Sequence, residues 1–171
     1  VSEEAGAHID EELRELLHEL ARLQQVDLGE LSEDHQRWAL YDLAIREGVG
    51  RDLLFRLLPL EPDLPMASSV VVQLVERVDP EERAAWVGRI PPEQRDYALR
   101  RVGELEIVDA VAAGELPAGQ VAQRLDGWSD WVQRRITECV RDPAVLEIMA
   151  ERGRTRRVRG QAGEERRRLR R

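Results

Sequence analysis

Apolar residues return at helical intervals along nearly the whole chain, and short polar or proline-rich steps separate the runs. Ile9, Leu13, Leu16, Leu17, Leu20 and Leu23 form one stripe, opposite Glu11, Glu12, Arg14, Glu15, Glu19 and Arg22. That spacing predicts an amphipathic helix, with Asp10 as its cap. Ser32 is placed to open a second helix, whose Trp38, Leu40, Tyr41, Leu43, Ala44 and Ile45 spread over more than one stripe. Gly48 and Gly50 break it, and Leu53, Leu54, Phe55, Leu57 and Leu58 predict a short, nearly all-apolar helix. Pro59, Pro62 and Pro65 then forbid a continuing helix and mark an internal boundary.

Residues 66–78 favour a strand by propensity at Val70, Val71 and Val72, and a buried helix by length and neighbours. A lone strand would have no ladder partner, so helix is expected. Asp79-Pro80-Glu81-Glu82 is a helix start, with Ala85, Trp86, Val87 and Ile90 facing inward. Ala98, Leu99 and Val102 form the next stripe; Gly103 permits a break before Leu105, Val108, Val111 and Ala112. A short helix after Pro117 carries Val121 and Leu125.

Residues 128–159 hold two capped helices. Ser129 precedes Trp131, Val132, Ile136, Cys139 and Val140 on one side, with Arg134, Arg135, Glu138 and Arg141 on the other. Asp142-Pro143 opens the second, striped by Val145, Leu146 and Met149 and ended by Gly153. The whole pattern predicts about nine or ten short helices and an all-α fold. It divides into N-terminal helices (1–58), a Pro-rich connection (59–65), a body (66–153) that is continuous with 1–58, and an Arg-rich tail (154–171).

Val132, Arg134, Asp142, Pro143, Val145, Leu146 and Met149 resemble HEAT-like repeats, including the leucine-rich-variant type. The resemblance covers residues 128–159 and implies an array of short antiparallel helices, a HEAT-like stack of helical hairpins. Such stacks mostly offer an extended surface to another macromolecule. The resemblance brings no catalytic residues with it.

Charge sharpens the picture. All 26 basic residues are Arg. Residues 151–171 hold ten Arg against Glu151, Glu164 and Glu165, a balance of +7, which leaves −15 on the other 150 residues within a formal total of −8. An acidic body repels nucleic acid and attracts basic partners, while a basic tail does the opposite. Three states of the tail compete: a solvated end, a phosphate-binding arm, and a cap returning to the acidic body. With only Val158 and Leu169 as sizeable anchors, the tail is expected to be removable without unfolding the body.

Candidate chemistry is sparse. His8, His18 and His35 have no second His or Cys at ligand spacing, so no metal is expected. Cys139, the single cysteine, falls on an apolar stripe and is expected to be a buried, inert thiol. Gly48-Val49-Gly50 lacks the lysine and further glycine of a phosphate loop, and no carboxylates stand out as an acid/base couple. No cofactor and no small-molecule ligand are implied. Trp38 and Trp86 are expected in the core; Trp128 and Trp131 share a helix edge, as core packing or as a binding anchor. The candidate binding residues are Trp128, Trp131, Arg134, Arg135, Arg154, Arg156, Arg157 and Arg159.

No apolar run approaches the length of a membrane span, and the acidic start, VSEEAGAHIDEE, has no signal-like apolar region. No membrane partner and a cytoplasmic location are expected. A start at Val1 reads as a trimmed chain or a non-standard start codon translated literally. The expected function is a non-enzymatic protein-binding module, its partner a protein, a basic one included. The runner-up is nucleic-acid association through the phosphates, by way of residues 154–171, and an enzyme ranks third.

Overall fold

The computed structural model describes residues 9–27 and 33–170. These residues are all-α, with no strand among them. The α-helices are α1 (Glu11–Gln24), α2 (Asp34–Glu47), α3 (Arg51–Leu57), α4 (Leu64–Val75), α5 (Arg83–Val87), α6 (Asp96–Ala112), α7 (Ala118–Arg124), α8 (Asp130–Cys139), α9 (Pro143–Arg152) and α10 (Arg156–Leu169). No helix among the described residues is long and apolar enough to cross a membrane. The chain forms two compact units, Val1–Val102 and Gly103–Arg171, and the division falls inside α6.

In the first unit α1 packs on α2 and α3, and α4 packs on α2 and α5. Leu13, Leu16, Leu17 and Leu20 of α1 are buried as the periodicity predicts. Leu23 is not: it is 52% exposed, because Gln24 takes the inward edge and donates to the Leu40 carbonyl at 3.3 Å. Asp10 caps through its backbone alone, its carbonyl accepting from Arg14 N at 3.0 Å. Ser32 lies outside the described residues, and α2 starts at Asp34.

The valine-rich segment is helical. Val70, Val71, Val72, Leu74 and Val75 of α4 are all buried, so burial on several sides overrides β propensity. Asp63 Oδ1 accepts from Met66 N at 2.9 Å and fixes where the helix begins. Trp86 is buried as expected and meets Phe55 edge-on at 5.0 Å, while Arg89 lies over the Phe55 ring at 4.4 Å. Ala85, expected inward, is exposed. So is Leu99, at 54%, because the inward row of α6 begins at Ala98 and continues through Arg101 and Leu105. Arg101 stays there by pairing with Glu76 at 3.1 Å. The same helix runs unbroken through Gly103.

The Pro-rich connection holds a buried ion pair. Arg37 of α2 and Glu61 both have fully buried side chains. Arg37 Nε and Nη2 donate to Glu61 Oε2 and Oε1 at 3.1 and 3.0 Å, and Tyr41 Oη donates to Oε2 at 2.6 Å. The backbone N–H of Asp63 donates to Oε1 at 3.0 Å. Arg37 Nη2 also donates to Asp34 Oδ1 at 2.7 Å. Burial alone would lower the Arg37 pKa, but its hydrogen bonds and attraction to Glu61, with Asp34 adding, hold it above its ordinary value. Burial first, and then the Glu61 charge, push the Tyr41 phenol far above its ordinary 10.0.

The network gives two measurable outcomes. Glu61→Ala removes the fully buried partner of a fully buried guanidinium and is expected to cost about 3–5 kcal/mol in urea denaturation. Tyr41 has a folded pKa above its unfolded value, so its contribution is complete below pH 10.0 and falls as the pH rises further. The expected slope is about 1.4 kcal/mol per pH unit. Tyr41→Phe should remove that alkaline loss; an unchanged slope would refute the assignment.

Candidate interaction site in the C-terminal helices

The second unit has its own core, built from Val108, Val111, Val121, Leu125, Trp128, Val132, Ile136, Val140, Val145, Leu146, Met149, Val158 and Ala162. α7 and α8 pack on α9, and α10 packs on both α8 and α9. The helix starts follow from local chemistry. Ser129 Oγ accepts from Val132 N at 3.2 Å and donates to Glu104 Oε1 at 2.5 Å. Asp142 Oδ1 accepts from Ala144 N at 2.8 Å, and Thr155 Oγ1 from Val158 N at 3.2 Å.

Two residues join α8, α9 and α10. Gln133, 1% exposed, donates from Nε2 to the carbonyls of Leu125 and Trp128 at 3.0 and 3.3 Å. Its Oε1 accepts from Arg154 N at 2.8 Å. One amide thus fixes the approach to α8 and the α9–α10 joint together. Gly153 lies at that joint, where a Cβ would come within 2.5 Å of the Met149 carbonyl oxygen and 2.6 Å of Val158. The close approach therefore requires glycine.

The inward side of α8 is rotated from the expected one. Gln133 and Thr137 point in, their polar atoms satisfied, Thr137 Oγ1 by the Arg134 carbonyl at 2.7 Å. Cys139 is consequently exposed rather than buried. Trp131 is half-buried at the edge of the core, while Trp128, 8% exposed, belongs to it. Trp38 is likewise only half-buried. The tryptophan pair therefore does not stand out as one exposed anchor.

The tail is a docked helix. Val158 and Ala162 of α10 are fully buried in the shared core, and Arg166 pairs with Glu147 of α9 at 2.9 Å. Removing residues 154–171 would uncover Val145, Leu146 and Met149, so the expectation of a dispensable tail gives way to that of a structural cap. Alanine supplies the second buried position, which a search for large apolar anchors passes over.

The arginines divide into two groups. Arg134 pairs with Asp130 at 3.7 Å and Arg135 with Glu138 at 3.1 Å, both half-buried on α8. Arg159 Nη1 donates to the Gly153 carbonyl at 2.6 Å, and Arg154 Nη1 reaches the Trp128 carbonyl at 3.5 Å. Arg156, Arg157 and Arg167 are exposed along α10, and Arg170 is exposed just after it. Arg156 and Arg157 occupy its first turn, where the helix dipole favours acids. Gly160, between them and Arg167, is also exposed, and a Cβ there would meet nothing within 4 Å. No group of His, Cys, Asp and Glu suited to a metal occurs among the described residues.

No family model matches the chain, and no curated protein or solved structure shows significant similarity to it.

Gln133→Leu should cost about 2–3 kcal/mol, because Arg154 N–H and two carbonyls lose their partner. Gly160→Ala should stabilise by about 0.5–1 kcal/mol, since a helical glycine with open space costs conformational entropy. Urea titrations of the two variants measure both.

Proposed function

We propose that the chain is a non-enzymatic helical-repeat protein, built of helical hairpins in the HEAT-like manner, whose C-terminal helix α10 binds an acidic segment of a partner protein. One observation carries the reading: α10 docks through Val158 and Ala162 and turns Arg156, Arg157 and Arg167 to solvent. Guanidinium forks match carboxylates bidentately. Two arginines in the first turn oppose the helix dipole and an exposed glycine weakens the helix, so local stability yields here to a surface property. The hairpin reading is supported by α8 and α9, which pack together across the short connection 140–142.

Nucleic acid is the second reading, favoured by the same arginine row. Against it stands an α10 without Phe, Tyr or Trp to stack on bases. Poly-glutamate and a short DNA duplex serve as probes. Poly-glutamate should bind with marked salt sensitivity. Arg156→Glu with Arg157→Glu should weaken it at least tenfold without lowering the melting temperature, because acids suit a helix start. Tighter binding to the duplex, with a log–log salt slope of about −0.9 per phosphate, would give the site to nucleic acid instead. Binding to neither probe would sink the reading.

A further inference from the structure

The first unit carries a groove of about 400 Å³ between α2 and the start of α4, lined by Asp34, His35, Trp38, Asp63, Met66 and Ser69, with Pro65 beside them. Its apolar surface comes from the half-buried Trp38 indole with Pro65 and Met66. Its rim is acidic. The size suits one or two side chains rather than a large ligand.

The charge balance behind the groove decides what fits it. Arg37, fully buried, pairs with Glu61 and with the groove residue Asp34. Asp63 joins the same cluster through its backbone N–H on Glu61. Among the described residues, Arg37 faces the carboxylates of Glu61 and Asp34, with that of Asp63 nearby on the start of α4, and it bonds Glu61 through both Nε and Nη2 and Asp34 through Nη2. Two of these carboxylates, Asp34 and Asp63, reach the groove. Each has one oxygen engaged inside the fold: Asp34 Oδ1 by Arg37 at 2.7 Å and Asp63 Oδ1 by Met66 N at 2.9 Å. Their second oxygens have no hydrogen-bond partner among the described residues.

We propose that this groove binds an arginine side chain from a basic segment of a partner protein, the aliphatic stem lying on Trp38 and the guanidinium between Asp34 and Asp63. An aromatic face beside paired carboxylates suits a planar, weakly hydrated cation better than a compact ammonium. The acidic bulk of the chain, −15 outside residues 151–171, draws such a segment in. The site is built from α2, Asp63 and the first turns of α4, and includes none of the arginines of α10.

The test is calorimetric titration of the full chain with an arginine-rich peptide and with its citrulline counterpart, which keeps the shape and removes the charge. The arginine peptide should bind and the citrulline peptide should bind at least tenfold more weakly. Asp63→Asn is the decisive variant. Asparagine caps a helix as well as aspartate does, so α4 keeps its start while the groove loses a charge. It should weaken the arginine peptide at least fivefold with an unchanged melting temperature, and Trp38→Ala should act in the same direction. Arg156→Glu with Arg157→Glu should leave this binding intact, which separates the groove from the α10 site. Equal binding of the citrulline peptide would overturn the proposal. So would affinity that falls with salt but ignores both Asp63→Asn and Trp38→Ala, which would mark diffuse attraction to an acidic body. Self-association of the chain abolished by Asp63→Asn would assign the groove to a second copy and overturn the partner assignment.

Discussion

The Arg37–Glu61 pair is the constraint on which the first unit depends. A carboxylate and a guanidinium taken fully out of water cost several kcal/mol each unless every lone pair and proton is matched. Glu61 is matched by Arg37, by the Tyr41 hydroxyl and by the Asp63 backbone N–H. The matching is also directional, and it ties a proline-interrupted loop to the middle of α2. Once Glu61 is held, Asp63 sits two residues on, caps α4 and decides which residues of the valine run face α2. A well-packed apolar trio in the same place would hold the elements together without dictating the start of α4.

The second unit solves the same problem with a neutral group. Gln133 uses both ends of its amide, two carbonyls on one side and a backbone N–H on the other, so three chain segments meet at one side chain. Gly153 allows the backbone of α9 to approach Val158 closely enough for α10 to dock. The two devices act together: the amide sets the register of the joint and the missing Cβ sets its distance.

Much of the helical framework was legible in the chain itself. The caps at Ser129 and Asp142 stand where side-chain chemistry demands them, and α4 is helical despite three consecutive valines. What escaped was every inward-facing polar group. Periodicity assigns sides by apolar character, so Gln133 and Thr137 look like solvent positions and Cys139 and Leu99 like core. Arg37 and Glu61 are 24 residues apart, and no local pattern links them. The arginine candidates were visible as residue types, but composition could not separate Arg159, bound to the Gly153 carbonyl, from the exposed Arg156 and Arg157. The Trp38 groove was hidden for a related reason, since its carboxylates lie on different elements.

The docking of α10 has a consequence for how the chain ages in the presence of proteases. The helix is arginine-dense, carries glycines at 160 and 163, and buries Val158 and Ala162 against α9 and α8. Opening the helix uncovers Val158 and Ala162 together with the α9 residues beneath them, so its free energy of local opening is set by that shared apolar contact. Each opening presents a string of arginyl bonds to a trypsin-like protease, while the docked helix presents none in extended form. Where reclosing outpaces cleavage, the rate of nicking follows the open population directly. A partner that gripped the outer side of α10 would slow that nicking in proportion to its occupancy, so the lifetime of the C-terminal helix would act as a built-in gauge of binding.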